Sequence, residues 1–197
     1  MTTHSERLQG CLAFLRAAEA LKHTLRSGHT SSGRAESTAE HTWRLCLMAM
    51  VFQREFASLD FAKVLKLCVI HDLGEAIGGD IPAIAQHAVP DKSARERADL
   101  VTLMKALPSD VAAEFLALWD DYENRSSDEA RMVKGLDKLE TILQHNQGLN
   151  PADFDYAFNL GYGQQYMDSH PLLRTLRDVL DADTQRLHDA QALRAPP

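Results

Sequence analysis

The chain has 197 residues, of which 45% are hydrophobic and 25% are charged, and its formal net charge at pH 7 is -7. This length is sufficient for one domain with a sizeable core, and the composition is ordinary for a soluble globular protein. The negative charge and the absence of a long basic block argue against a general nucleic-acid-binding protein. They leave room for a small phosphorylated substrate held by a metal and a few arginines.

The sequence shows no membrane or export signal. The longest apolar run, 45-LCLMAMVF-52, is too short to span a membrane. The N-terminal sequence MTTHSERLQG lacks the basic and apolar segments of a secretory signal. The cysteines Cys11, Cys46 and Cys68 are far apart and lie in apolar runs, which favours reduced core residues in a cytoplasmic protein.

Helical periodicity dominates the first half of the chain, and no convincing β-type alternation is present. Three helices are predicted there, over residues 5–25, 38–57 and 60–77. Ser37 or Thr38 can cap the second of these helices, and Asp60 can cap the third. The Ser- and Gly-rich segment 27–34 is predicted to be a loop.

Four further helices are predicted in the second half, over residues 91–106, 109–123, 128–147 and 171–190. The segment 148–170 is rich in Gly, Asn and Asp and is predicted to be irregular. No repeat or linker interrupts this pattern. The sequence therefore predicts a single all-α domain over residues 1–190, followed by a loose tail at 191–197.

Four ionisable groups lie among apolar residues in the segment 66-KLCVIHDLGEAIGGDIP-82, where unpaired charge is costly to bury. His71 falls in line with the apolar stripe of the third predicted helix, and Asp72 lies about 100° around that helix from it. His41 lies in line with the apolar stripe of the second predicted helix. The two histidines are therefore expected to meet in the core.

Asp137 flanks the apolar stripe of the helix over 128–147, whereas Lys134 and Lys138 are predicted to face away. Three helices can therefore supply four ligand-type residues to one point: His41, His71, Asp72 and Asp137. Two imidazoles and two carboxylates suit one divalent first-row transition ion (Mn, Co, Ni, Fe, Zn or Cu), and they suit Mg less well. Such an ion lowers the pKa of a bound water and makes hydroxide available near neutrality.

A purely structural interpretation competes with the metal site. A lone histidine on an apolar face is more often a hydrogen-bonded core residue than a ligand. A buried ion pair could account for the adjacent His71 and Asp72. A helical protein with a buried ion-pair network is therefore an alternative that a metal assay would test.

The order His41, His71-Asp72, Asp137 resembles that of the HD-domain metal-dependent phosphohydrolase superfamily. The flanking segments are similar to the HD domain-containing protein 2 and 5′-deoxynucleotidase group; they are 34-RAESTAEHTWR-44, 70-IHDLGEAIGGDIP-82 and 118-LWDDYENRSSDEARMVKGLDKLETILQ-144. The similarity runs from about residue 8 to 147 and continues weakly into 171–187. It implies an HD-type helical bundle with the metal site between helices.

The resemblance also implies the reaction, which is metal-dependent hydrolysis of (deoxy)nucleoside 5′-monophosphates, and the roles of individual residues. The four residues of the pattern stand at the family's metal-ligand positions. Glu75 stands where the family has a glutamate beside the metal-bound water, and Asp80 where it has an active-site aspartate near the sugar and the leaving oxygen. Arg26 stands where members place a phosphate-contacting arginine, and Arg34 is the second choice for that contact.

The segment 26-RSGH-29 departs from the group's pattern. The family often has a tryptophan against the sugar close to this arginine, whereas Ser27 or His29 takes its place here. The missing ring predicts a weaker preference for deoxyribose than is usual in the group.

The expected partner is a small nucleotide substrate, with no nucleic acid or membrane. A homodimer is expected mainly from the resemblance. A weaker reason is that the helices over 109–123 and 171–190 carry apolar stripes in a protein that already has five other helices. The same stripes could instead complete the core of one chain.

Two other functions are compatible with the sequence. An HD-family hydrolase of a cyclic dinucleotide, a triphosphate or an alarmone would need additional phosphate-binding arginines and lysines, and the basic residues of this chain are scattered. A non-catalytic metal- or nucleotide-binding HD module is less consistent with the presence of both Glu75 and Asp80.

Overall fold

Packed α-helices make up most of the computed structural model, which describes residues 3–88 and 90–193. The helices are α1 His4–Ala18, α2 Thr38–Val51, α3 Phe61–Ile70, α4 Glu75–Gly78, α5 Lys92–Leu103, α6 Ser109–Asn124, α7 Asp128–Gln147, α8 Tyr156–Gly161 and α9 Pro171–Ala192. Short 3-10 turns extend or connect them at Glu19–Lys22, Gln53–Phe56, Ala83–Ala88, Met104–Ala106 and Gln164–Ser169. The prediction of a single all-α domain is confirmed, with one small exception.

That exception is a hairpin in the segment predicted to be a loop. Strand β1, Leu25–His29, pairs antiparallel with β2, Ala35–Ser37. The two strands are short and contain no β-branched residue, so they give no alternation signal. The hairpin instead packs against α7, which supplies contacts that propensity does not reveal.

Capping residues fix where the helices of the site begin. The Ser37 side chain accepts a hydrogen bond from the backbone of Glu40, and the Glu40 carboxylate accepts one from the backbone of Ser37 at 2.8 Å. Asp60 caps α3 by accepting from the backbone of Lys63. Both caps agree with the sequence prediction, and they set the register in which α2 and α3 face the core.

The third predicted helix is interrupted. α3 ends at Ile70, residues 71–74 form a turn, and α4 begins at Glu75. A Cβ atom on Gly74 would lie 2.5 Å from the carbonyl oxygen of Glu96, so the chain approaches α5 more closely than a side chain permits. The interruption leaves His71 and Asp72 at the end of α3.

Helix α7 lies at the centre of the fold, where it packs against α2, α3 and α9. The main core forms along these contacts and consists of fully buried side chains that include Leu45, Val64, Leu67, Val133, Leu136, Leu139 and Ile142. A second, smaller core joins α1, α5 and α6. The site described below lies on the side of α7 that faces α2 and α3.

The apolar stripes of α6 and α9 complete the core of one chain. Trp119 is buried in the second core, with Phe115 and Leu116 packed against it. Leu173 and Leu180 are buried in the main core. These stripes therefore have partners within the chain, which is the alternative that the sequence left open, and they give no separate support for a dimer.

The C-terminal part of the chain is more helical than predicted. Helix α8 and the turn Gln164–Ser169 occupy much of the segment predicted to be irregular, and α9 continues to Ala192. Residues 194–197 of the predicted tail lie outside the described residues. Among the helices of 3–88 and 90–193, none combines the length and the apolar character needed to cross a membrane.

The contact between α7 and α9 should depend on Gly135. A Cβ atom at this position would lie 2.4 Å from Cδ1 of the fully buried Leu173. We expect Gly135→Val to lower the free energy of unfolding by about 1–3 kcal/mol, because overpacking forces side chains from their rotamers. Urea unfolding followed by circular dichroism measures this change.

Gly161→Ala is the control, because a Cβ atom there would meet nothing within 4 Å apart from its chain neighbours and the backbone of its own helix. Its free energy of unfolding should change by less than about 0.5 kcal/mol. Equal losses in the two variants would contradict the packing role of Gly135.

Candidate metal centre

Two histidines from neighbouring helices point their Nε2 atoms into the same space. His41 lies on α2 and His71 follows α3, and their ring centroids are 5.5 Å apart. Both side chains are buried, and neither Nε2 atom has a hydrogen-bond partner among the described residues. Because buried polar atoms are rarely left unpaired, two that face each other indicate a cation site.

The other ring nitrogen of each histidine is already engaged. Nδ1 of His71 donates to the carbonyl oxygen of Cys68 at 2.8 Å, and Nδ1 of His41 contacts the buried carboxylate of Glu140. Glu140 also accepts a hydrogen bond from Nε of Arg44. Because Nδ1 faces an acceptor, Nε2 is the atom of each ring that can bind a metal once it carries no proton.

Two aspartates complete the group. Oδ1 of Asp137 lies 3.2 Å from Nε2 of His41 and 4.0 Å from Nε2 of His71. Oδ2 of Asp72 lies 2.9 Å from Nε2 of His71 and 3.7 Å from Nε2 of His41. The structure thus brings together all four residues that the sequence suggested as ligands.

The second oxygen of Asp137 is held away from the histidines. Oδ2 accepts a hydrogen bond from the Tyr122 hydroxyl at 2.6 Å and lies 2.9 Å from the ammonium of Lys138. Although burial opposes the shift, the Asp137 carboxylate and Tyr162 together hold the pKa of Lys138 well above its usual range. These two donors orient the carboxylate so that Oδ1 faces the imidazoles.

Charge and burial shift the titration of the site. Although burial and Arg26 oppose it, the carboxylates of Glu140 and Asp137 raise the pKa of His41 to about 10. Burial, together with the carboxylates of Asp72 and Asp80, raises the pKa of Glu75 to about 9. In the protein alone, therefore, neutral pH favours a proton on each of these two side chains.

Three of the four residues, His71, Asp72 and Asp137, border a polar cavity of about 500 Å³, a volume within the range of small-molecule sites, and His41 lies buried behind them. Polar side chains from the hairpin, α4, α5 and α7 line it, including Arg26, Ser27, Glu75, Asp80, Lys92, Lys134, Lys138 and Thr141. Three tyrosines also contribute, namely Tyr122, Tyr162 and Tyr166. The cavity can hold a charged ligand that also has a planar or apolar part.

Glu75 and Asp80 both lie in this cavity, as the sequence suggested. Glu75 is buried, and its Oε2 accepts a hydrogen bond from the Thr38 hydroxyl at 2.9 Å. Burial raises the pKa of Asp80, although Arg26 opposes the shift. Both carboxyl groups therefore hold a proton more readily than an exposed carboxyl group does.

Arg26 extends from β1 into a ring of acceptors. Its Nη1 lies 3.5 Å from Oδ2 of Asp72 and 3.9 Å from Oδ1 of Asp80. Its Nε lies 3.7 Å from Oε2 of Glu36, and its Nη2 donates to the Thr141 hydroxyl at 3.1 Å. The hairpin thus places this arginine beside the metal-ligand group.

Arg34 lies away from the cavity, so the second-choice prediction for it is wrong. Its side chain is 59% exposed and donates to both carboxylate oxygens of Glu40, at 2.7 and 2.9 Å. The turn between β1 and β2 directs residue 34 to the surface. Its contacts with Glu40 and with the carbonyl oxygen of Ala35 anchor the end of the hairpin turn instead.

The prediction that Lys134 and Lys138 face away is also wrong, since both line the cavity. Nζ of Lys134 lies 3.0 Å from Glu123 and 4.1 Å from the ring centroid of Tyr122. Helical periodicity fixes the direction of Cβ, but a lysine stem is long enough to bring its ammonium back towards an acceptor. For Lys138, its position next to Asp137 in the sequence could have indicated that its ammonium lies close to that carboxylate.

Glu140 was missed by the sequence analysis. It is three residues after Asp137 and therefore shares the same face of α7, a spacing that could have identified it. Its role depends on a contact with α2 that only the folded chain shows.

Comparison with known proteins places this site in a family. The sequence matches the HD domain family over residues 18–176. It is 36% identical over 180 residues to a human protein named 5′-deoxynucleotidase HDDC2, a match that covers 87% of this chain and 85% of that protein. It is also 33% identical over 186 residues to the Schizosaccharomyces pombe protein named 5′-deoxynucleotidase hdd1. That match covers 87% of this chain and 89% of that protein.

A solved structure agrees with this match. It belongs to a protein described as a predicted metal-dependent phosphohydrolase from Magnetospirillum magnetotacticum MS-1. The TM-score is 0.78 at 27% sequence identity, over 97% of this chain and all of that one (100%). The resemblance inferred from the motifs is confirmed, and the chain belongs to the HD domain family.

Proposed function

We propose that the chain is a metal-dependent phosphohydrolase that releases phosphate from nucleoside 5′-monophosphates. The observation that carries the proposal is the convergence of two unpartnered imidazole Nε2 atoms of the described chain with two carboxylates at the wall of a polar cavity. Relatives named 5′-deoxynucleotidases, which the chain matches over most of its length, support nucleoside monophosphates as the substrate class.

One divalent transition ion per chain suits the ligand set, with Mn, Co, Ni, Fe, Zn or Cu as candidates and Mg less suitable because half of the donors are imidazole nitrogens. Four residues would hold the ion: His41, His71, Asp72 and Asp137. When bound, it would polarise the phosphoryl group and lower the pKa of a water.

Glu75 is suited to handle the attacking water. It lies four residues after His71, borders the cavity, and has one carboxylate oxygen fixed by the Thr38 hydroxyl. The other oxygen can orient a water or accept its proton. Burial and the carboxylates of Asp72 and Asp80 raise its pKa, so once ionised beside a bound cation it would be a stronger base for the water than an exposed glutamate.

Asp80 and Arg26 are suited to the phosphate and the leaving group. The raised pKa of Asp80 makes its carboxyl a proton donor for the leaving 5′-oxygen, or a hydrogen-bonding group for the 3′-hydroxyl. The Arg26 guanidinium, already close to Asp72 and Asp80, can contact the phosphate through two donors and offset its charge. These contacts would position the ester between Glu75 and Asp80.

The division between metal binding and proton transfer can be tested with two variants. We expect Asp72→Ala to lose the metal and most activity, because it removes a ligand. Glu75→Ala should keep the metal and lose at least about 10²-fold in kcat, which is typical for removal of a general base. Metal content by elemental analysis and kcat are measured on the same samples.

Arg34→Ala is the control for these variants, because its side chain is exposed and pairs with Glu40. It should retain metal and activity. Equal loss of metal from Asp72→Ala and Glu75→Ala would refute the assigned roles.

Substrate choice gives a second test. We expect 5′-monophosphates to be cleaved and 3′-monophosphates and diesters to be poor substrates. The preference for deoxyribose should be weak, because Ser27 lines the cavity and neither tryptophan of the described chain does. Discrimination by such a pocket is at most about 10²-fold, and the ratio of kcat/KM for dAMP and AMP under one metal measures it.

A larger ratio would contradict this interpretation of the hairpin. It would assign the exclusion of the 2′-hydroxyl to another ring of the cavity, such as Tyr162 or Tyr166.

The homodimer also belongs to the proposal, and family resemblance is its support. Light scattering at micromolar concentration should give twice the mass of one chain. A monomer at that concentration would contradict it.

A further inference from the structure

Lys138 is a second cation of the cavity, and its contact with Asp137 uses only part of its capacity to donate hydrogen bonds. Its side chain is only 16% exposed, although lysine is almost never fully buried unless it is paired. Its ammonium lies 2.9 Å from Oδ2 of Asp137 and 5.2 Å from the ring centroid of Tyr162. An ammonium has three N–H donors, so contact with Asp137 leaves donors for a ligand in the cavity.

The backbone beside Lys138 is shaped around its stem. Gly163 has a φ of 75°, in the region that favours glycine. A Cβ atom there would lie 2.7 Å from Cβ and 2.9 Å from Cγ of Lys138. The lysine stem is therefore confined by a segment that only glycine allows to approach so closely.

A buried arginine fixes that segment. Arg177 of α9 is 2% exposed, and its Nη2 donates to the carbonyl oxygens of Asn159 and Leu160 at 2.7 and 2.8 Å. Its Nη1 donates to the carbonyl oxygen of Tyr162 at 2.5 Å. The end of α8 is thereby tied to α9, which holds Gly163 against Lys138.

Lys138 and Arg26 flank the same part of α7. Arg26 donates to Thr141, which is three residues after Lys138 and therefore about one helical turn away on the same face. The carboxylates of Asp72, Asp80 and Glu36 already share the Arg26 charge. A dianionic phosphate beside these groups needs a second cation.

We propose that Lys138 is a phosphate-binding residue whose ammonium contacts a non-bridging phosphate oxygen while Arg26 contacts the phosphate from the other side. Gly163 and Arg177 are positioning residues for it. This inference rests on the proposed function, because it assumes that the ligand carries a terminal phosphate. The competing role is neutralisation of Asp137 alone, which would affect metal binding and leave phosphate binding unchanged.

The test uses inorganic phosphate as the probe and requires no turnover. Isothermal titration calorimetry measures the Kd of phosphate for the Mn²⁺-loaded protein and the Kd of Mn²⁺ itself. Lys138→Met keeps the stem volume and removes the charge. Because the ammonium also contacts the metal ligand Asp137, the phosphate Kd of each variant is measured at saturating Mn²⁺. We expect the phosphate Kd of Lys138→Met to rise about 10- to 100-fold, the range for loss of a charged hydrogen bond.

Lys134→Met is the matched control, because Lys134 also lines the cavity from α7 but pairs with Glu123. Its phosphate Kd should stay within about threefold of the wild-type value. Gly163→Ala provides a second variant in which the charge is kept but displaced, and its phosphate Kd should rise in the same direction. Circular dichroism shows whether Lys138→Met folds. If it does not fold, the phosphate Kd of Gly163→Ala tests the role of Lys138 instead.

An unchanged phosphate Kd in Lys138→Met, or weakened Mn²⁺ binding alone, would overturn the inference and assign the lysine to Asp137. Absence of phosphate binding by the loaded wild-type protein would overturn it as well. If the wild-type protein binds phosphate through Lys138 but cleaves no 5′-monophosphate, the proposed function fails and the phosphate site stands.

Discussion

The structure depends on the orientation of two imidazole rings inside a helical core. Each ring has its Nδ1 atom held by an acceptor on a separate element, the carboxylate of Glu140 on α7 for His41 and the carbonyl oxygen of Cys68 on α3 for His71. Removing any of these contacts would leave a buried polar group unpaired, which costs about 1–3 kcal/mol. The contact between His41 and Glu140 therefore fixes the register of α2 against α7 in addition to apolar packing, whereas the contact between His71 and Cys68 is local and orients the ring at the end of α3.

Around this centre, cations and carboxylates alternate across the cavity. Arg26 lies between Glu36 on one side and Asp72 and Asp80 on the other, and Lys138 lies against Asp137. Burial of so many charges is tolerated because each has an opposite neighbour. The same arrangement limits what can bind, since a ligand must supply both an anionic group for the cations and hydrogen-bond donors for the carboxylates.

Part of the site could be predicted from the sequence because its residues are placed by helical periodicity. His41 follows the apolar stripe of α2, and Asp137 flanks that of α7, so their faces are set by residues that must be buried. The caps at Ser37 and Asp60 are local signals and were equally accessible. Each of these features is determined by residues close to it in the sequence, so the sequence alone is sufficient to predict it.

The remaining features depend on contacts between distant segments. The interruption after Ile70 reflects the approach of Gly74 to the backbone of Glu96, and the hairpin exists because α7 packs against it. Lys138 enters the cavity because Asp137 and the segment at Gly163 confine a flexible stem. None of these contacts leaves a periodic trace in the sequence.

The raised pKa values of His41 and Glu75, about 10 and about 9, have a consequence for how the centre acquires its ion. In the protein without metal these shifts favour a proton on both side chains at neutral pH, and a nitrogen that binds a metal must release its proton first. Loading is then an exchange of protons for a divalent cation, in which the total charge of the centre changes by less than two units. For each proton released, the apparent affinity for the ion would rise about tenfold per pH unit below the corresponding pKa, so acidification would weaken metal binding at this centre.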